Sequence, residues 1–523
     1  MADSATEMLP RARGRATLFW LAIGALMLLV GSFRIAAGGG GHLVLGGVIG
    51  IVAGLLVVRR PALGILIYLT TFLFTYPAFL RGTGNFTINN MLGLTLLPLM
   101  LYGLVREGDW WIFRWRPMVL LSLIVVSMIG SAIFYRPAID VGRDLIAERA
   151  ATSARGQGEA LISTRDAAAK FLTRFVFLMF LVYFVRTPRD MKLVVGTIVL
   201  CLLATYLSVS TEEGARGLGT GRLRGMGETG TGVYAARNPN KLAYFALYCL
   251  TLLWYARRGI KAGFWYLPWA VATALVFVMI PLTGSRSGIL NLLMFLAIVM
   301  LEGRFNYRKL VGLAAVGLFF VIQIGFDVSV VDFFFAEDVA ERLTRFDVRT
   351  EALELGLEGR GSAEGRIQTA LSASRVFQYH PLFGVGIGNF TFERPIVDPF
   401  GVVGPPHNSY LWALSEGGIV AFGLYVAFFT WVWRQLRGIE WEYEARFGAL
   451  GLGWLVNATR TGMVGFMFFS FFADMWHHVL FYIVMGLALS VIRLHLVYAE
   501  TGRVPDAFIL GKPVQSPGLE SAR

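Results

Sequence analysis

The chain has 523 residues, of which 56% are hydrophobic, 14% aromatic and only 15% charged, a balance that excludes a soluble domain of ordinary size. Its formal charge of +13 would suit nucleic acid if the cations formed one face or tail, but they are shared among short loops, so no nucleic-acid partner is expected. The sequence reads as an all-α, polytopic integral membrane protein.

About fourteen apolar stretches come close to the roughly 20-residue length that crosses a bilayer. In chain order they are 16–33, 42–58, 61–80, 89–105, 117–135, 170–187, 191–210, 238–256, 264–283, 284–301, 309–327, 408–434, 447–474 and 477–495. The expected architecture is a bundle of about 12–14 transmembrane helices. The first stretch lacks a small-residue cleavage pattern and reads as a retained span. Arginine and lysine gather in alternate connections: Arg11, Arg13 and Arg15; Arg59 and Arg60; Arg106, Arg114 and Arg116; Arg186, Arg189 and Lys192; Arg257, Arg258 and Lys261; Arg304, Arg308 and Lys309; Arg434, Arg437 and Arg446. The positive-inside rule places these connections and both termini in the cytoplasm, and the intervening connections outside it.

Five regions follow. Residues 1–210 form an N-terminal bundle that includes an outer connection, 136–169. Residues 211–327 form a central region with a Gly/Arg-rich outer loop. A large outer, periplasmic loop occupies 328–407, C-terminal helices 408–495, and a cytoplasmic tail 496–523. The connection 136–169 mixes Arg143, Asp144, Glu148, Arg149, Arg155, Arg165 and Asp166 with alanine and suits one or two solvated helices. The loop 211–237 offers Arg222 and Arg224 on a glycine-rich backbone able to approach an anion closely, although its glycine content alone fits a solvated loop equally well. Cys201 and Cys249 fall inside expected spans and should be buried free thiols.

Chemistry-bearing residues cluster in the second half. Arg286, in PLTGSRSGIL, is the sole cation of an outer turn between two apolar spans, with room around it for a ligand. Ser362 to Gly365 look like a helix start, Ile367, Leu371, Val376 and Phe377 supply an apolar stripe, and Pro381 ends it. Arg366 then falls in the first turn, where a cation opposes the helix dipole and an anionic partner would explain it. His407 follows Pro405 and Pro406 and precedes Asn408 and Ser409, either of which can cap the apolar helix that begins there. A neutral imidazole at that point can serve as a general base. Guanidinium forks match the paired oxygens of a diphosphate, and a departing diphosphate develops charge that arginine stabilises. Outer loops hold no Asp-x-Asp pair, and no His-Glu-x-x-His or cysteine cluster occurs, so no metal site is expected. Glu416 reads either as a partner for a cation or as a polar residue fixing a kinked, glycine-containing helix. Arg460 lies within an apolar span and needs a partner or a watery cavity. His477 and His478 fit a membrane-interface position.

At these residues the chain resembles the O-antigen ligase and Wzy polymerase superfamily. The resemblance rests on SRSG with Arg286, on GRIQTALSASRVFQYHPLFGVGIGNF with Arg366, on HNSYLWALSEGGIVAFG with His407, Asn408, Glu416 and Gly417, and on RLRGMGETGTGVYAARNPNKLA with Asn238 to Asn240. It runs from about Arg222 to Ala473; residues 1–200 carry no assignable motif. The resemblance implies a GT-C-like membrane glycosyltransferase of the bacterial inner membrane with its active site facing the periplasm. It would transfer a glycan from an undecaprenyl-diphosphate carrier to a glycan or lipid A-core acceptor, without metal or other cofactor and with inversion. By the same resemblance, Arg286 and Arg366 would bind the diphosphate and His407 would activate the acceptor, with Arg222, Arg224, Asn408 and Glu416 as further substrate-binding candidates. Membrane lipids and a chain-length regulator are the other partners considered. The competing class is a polysaccharide flippase or transporter, which would place ionisable residues at mid-membrane on broken helices.

Overall fold

The computed structural model describes residues 54–73, 88–107, 110–135, 164–209, 239–260, 263, 266–283, 285–301, 362–397, 406–442, 451–475 and 478–502. The expected spans 16–33 and 309–327, most of 42–58, and the loop carrying Arg222 and Arg224 lie outside them. The described residues are helical, without strands. In chain order the helices are α1 (Pro61–Leu73), α2 (Ile88–Glu107), α3 (Trp111–Arg114), α4 (Arg116–Phe134), α5 (Thr164–Phe184), α6 (Pro188–Val209) and α7 (Pro239–Ala256). They continue as α8 (Tyr266–Leu282), α9 (Arg286–Leu301), α10 (Ser362–Tyr379), α11 (Phe390–Val397), α12 (Ser409–Glu442), α13 (Gly453–Phe469) and α14 (Val479–Thr501).

Local chemistry sets many of these boundaries. Proline opens α1, α6 and α7, where its missing N–H costs nothing. At the start of α6, Thr187 Oγ1 accepts from Asp190 N at 3.1 Å while Asp190 Oδ2 accepts from Thr187 N at 3.3 Å, a reciprocal cap. His478 Nδ1 accepts from Leu480 N to open α14, and Gly502, at φ 64°, closes it in the left-handed region.

Among the described residues four helices are long and apolar enough to cross a membrane, over Arg116–Phe134, Ala167–Phe184, Ser409–Ile439 and Val479–Thr501. The other expected spans in the described region are also helical, but several are shorter. The SRSG turn cuts the apolar run into α8 and α9, of 17 and 16 residues. In α14, 94% of the apolar span is buried, so this helix forms the axis of the bundle rather than its lipid face. It packs against α5 and α13; α7 in turn packs against α8, α9 and α13, and α12 lies along α4. Small residues permit close crossings. A Cβ at Gly288 of α9 would stand 2.4 Å from the Ala243 Cβ of α7. Large apolar side chains such as Val126, Ile133, Leu200 and Leu267 face outward, as lipid contact requires. Cys201 and Cys249 are free and buried.

The bundle has two chemically different ends. At one, Arg60 pairs with Asp190 at 3.3 Å and Arg186 with Glu107 at 2.8 Å. Here Gly259 adjoins Trp454, and Gly451 adjoins Lys192. Among the described residues, the cationic connections around Arg60, Arg186 and Lys192 therefore meet on one side, as their alternation in sequence predicts. Indoles ring this end: Trp115 meets Trp431 edge to face, and Arg257 lies 3.6 Å over the Trp254 ring. Arg460 is the eighth residue of α13 and extends toward the same end, its guanidinium 5.9 Å from the Trp433 ring, which supplies a partner for a cation within an apolar helix.

At the opposite end α12 is broken. Gly418 has φ 61° and ψ −169°, so two helical pieces meet at a kink. The segment after α10, HPLFGVGIG, inserts there and pairs backbone to backbone. Val385 N donates to Ser415 O, Gly386 N to Glu416 O, Ile419 N to Pro381 O and Val420 N to Leu382 O, at 2.8–3.2 Å. Peptide groups freed by the break are thus satisfied away from water. Gly386, at φ 85°, presses on α4 so closely that a Cβ would stand 2.2 Å from the Ala132 backbone.

Candidate functional site

His407 lies at this second end, one residue before the cap of α12. Asn408 is the cap: its Oδ1 accepts from Tyr410 N and Leu411 N, both at 3.0 Å. Ser409 has a different task. Its N–H donates to Ser470 O at 2.8 Å, its Oγ donates to Ala473 O at 2.7 Å, and that Oγ accepts from Met475 N at 2.7 Å. These bonds sew the start of α12 to the segment after α13 and bring Asp474 to the histidine. Asp474 Oδ2 lies 3.1 Å from His407 Nδ1. The carboxylate is 8% exposed and the imidazole 40%, so the pair has a buried half and an open half.

His407 has φ 51°, which no other non-glycine residue shares among those described. The left-handed region costs a non-glycine residue roughly 1–2 kcal/mol, and the cap, the neighbouring Pro406 and the Asp474 contact hold it there. With Nδ1–H donated to the carboxylate, Nε2 is left as the proton acceptor.

The SRSG turn is assembled by its serines. Ser285 Oγ accepts from Gly288 N at 3.0 Å, capping α9, and donates to Asn240 Oδ1 at 2.7 Å. Arg286 is consequently the first residue of α9, a cation at the positive end of a helix dipole. Asn240, second in α7, is followed by half-buried Lys241, whose ammonium is within the electrostatic reach of Asp474. The turn beside Arg286 is thus bonded to the start of α7 through Asn240, and His407 is paired with Asp474.

Arg366 is the fifth residue of α10, whose bounds, Ser362 to Tyr379 ahead of Pro381, follow the expected ones. Glu416 is placed differently. It is 1% exposed and its Oε1 accepts from Gly388 N at 2.9 Å, so it fastens the inserted segment from inside the kinked helix. That geometry favours the packing reading of the two considered for it. Arg222 and Arg224 lie outside the described residues.

Sequence reasoning missed Asp474 and Lys241. Asp474 is the one acidic residue in the apolar run SFFADMW, and a carboxylate in that setting was a usable signal; Lys241 directly follows the Asn-Pro-Asn motif.

No match to a curated protein is found. Residues 271–426 match the family model described as O-antigen ligase, a stretch that begins in α8, contains Arg286, Arg366, His407 and Glu416, and ends in α12, and this match supports the resemblance to the O-antigen ligase and Wzy family.

Proposed function

We propose that the protein transfers a glycan from an undecaprenyl-diphosphate carrier to an acceptor hydroxyl at the periplasmic face of the bacterial inner membrane. The observation that carries this reading is the pair of partly exposed His407 with buried Asp474, at the same end of the bundle as the helix N-terminus that begins with Arg286. This end is opposite the cation-rich one, which the positive-inside rule assigns to the cytoplasm.

In this mechanism Asp474 fixes the imidazole and Nε2 takes the acceptor hydroxyl proton. The acceptor oxygen attacks the anomeric carbon from the face opposite the leaving group, a C–O bond forms, and the C–O bond to the carrier diphosphate breaks with inversion. Charge gathers on the departing diphosphate. Arg286 and Arg366 compensate it as fixed cations, and the α9 N-terminus adds oriented backbone N–H groups. Asn408 shapes the floor through its cap.

The test is complementation of a strain lacking this protein with His407→Ala and Arg286→Ala, after membrane levels are matched. We expect both to accumulate carrier-linked donor and lose mature surface glycan. Single repeats on the carrier would assign polymerisation, and long chains would assign ligation. Normal glycan from well-expressed variants would sink the proposal and reopen the transporter class.

A further inference from the structure

Tyr135 caps the C-terminus of α4, His380 directly follows α10, and Glu393 belongs to α11. These three residues meet at one ring nitrogen. The Tyr135 hydroxyl lies 2.6 Å from His380 Nε2, and the same nitrogen lies 3.1 Å from Glu393 Oε1. The tyrosine and imidazole rings also meet edge to face, with centroids 4.5 Å apart. Burial, and secondarily the Glu393 carboxylate, push the Tyr135 phenol above its ordinary range, so it keeps its proton and donates it to Glu393 or to Nε2 according to the tautomer of His380. Glu393 is 5% exposed, and its second oxygen is buried without a hydrogen-bond partner among the described residues.

A buried carboxylate is an expensive way to join helices, because apolar residues of like volume hold at least as well. A polar junction adds direction, since its hydrogen bonds tolerate only a narrow range of angles. Direction matters for α10. Beside this junction, the helix packs on α11 and α12, its Ala373 and Val376 joining Val385 and Phe390 in a small apolar cluster separate from the main core. Arg366 lies about 20 Å from His380 along the helix, at 1.5 Å of rise per residue. A tilt of about 3° at the His380 end therefore moves the Arg366 end by about 1 Å, a displacement able to cost on the order of 100-fold in rate.

We propose that Tyr135, His380 and Glu393 are positioning residues, a clamp that sets the angle at which α10 presents Arg366 to the donor diphosphate. The clamp rests on the function proposed above and adds to it a requirement far from the reacting atoms.

The experiment uses the full chain in lipid nanodiscs with a carrier-diphosphate-linked glycan donor and an acceptor glycan. His380→Ala, His380→Gln and Tyr135→Phe are each measured alone and combined with Arg366→Lys. We expect His380→Ala to lower kcat/KM by about 30-fold, Tyr135→Phe by about 5-fold, and His380→Gln to recover part of the loss at an unchanged melting temperature. In the Arg366→Lys background the His380→Ala loss should shrink to about 3-fold or less, because two changes acting through one group do not multiply. If Arg366→Lys is impaired yet the losses multiply in full, the clamp is wrong while the transferase reading stands. If Arg366→Lys keeps wild-type kcat/KM, the role of Arg366 falls and the clamp falls with it. Should His380→Ala unfold, Tyr135→Phe, which removes a single hydroxyl, decides by the same comparison.

Discussion

Asp474 shows how much one side chain determines. It is buried, it touches the imidazole at Nδ1, and it reaches that position because Ser409 holds the neighbouring backbone on both sides. Replacing it with asparagine keeps the volume but frees the histidine to adopt the other tautomer. We expect Asp474→Asn to lower kcat by about 100-fold or more while the donor KM changes little, since proton transfer by a positioned base contributes about 10²–10⁴-fold. Initial rates with purified protein check this; a large rise in donor KM at unchanged kcat would instead place Asp474 in donor binding. Glu416 offers the contrasting case. Glu416→Gln retains an acceptor for Gly388 N and should leave turnover nearly unchanged, whereas Glu416→Ala strands a buried N–H and should cost about 1–3 kcal/mol of stability. Melting curves in detergent, paired with activity, separate the two. Full stability with abolished activity in Glu416→Gln would move this residue into the reaction itself.

At the scale of elements, the broken helix α12 and the segment inserted beside it form one unit. Gly384, Gly386 and Gly418 all have positive φ, and each would drive a Cβ to within 2.4 Å of a neighbouring backbone atom. Gly386→Ala combines a disfavoured backbone conformation with overlap against Ala132. We expect it to abolish accumulation in the membrane, while Gly130→Ala, on the same α4 but with open space around it, accumulates normally. Immunoblots of membrane fractions suffice; normal levels of Gly386→Ala would mean that the inserted segment is not anchored as described. The ends of α10 were legible beforehand because capping residues and proline act locally. The kink partner of Glu416 was not, because Gly388 is brought there by tertiary backbone pairing that leaves no periodic trace.

For the molecule as a whole, the sequence revealed its polarity most clearly. Arginines in alternate loops obey a topological constraint read off order alone, and Arg60, Arg186 and Lys192 do meet at one end with their acidic or backbone neighbours. His407, Arg286 and Arg366 were visible because motifs preserve spacing within a segment. The Asp474 partner of His407 and the Asn240 partner of Ser285 were not, since they lie on segments that approach only after folding. The turn between the stretches 264–283 and 284–301 was legible in SRSG; the helices it separates, α8 and α9, have 17 and 16 residues, shorter than those stretches because Ser285 caps α9 within the turn.

The stitching of Ser409 to Ala473 also sets a timetable for biogenesis. Sixty-four positions separate the two in the chain, so the ribosome releases the histidine well before the carboxylate that orients it. At translation speeds of about 5–20 residues per second, the newborn protein spends several seconds with its imidazole unpaired. On the function proposed above, competence arrives only when the segment carrying Asp474 has been made, so a message truncated upstream of it should yield an inert polypeptide.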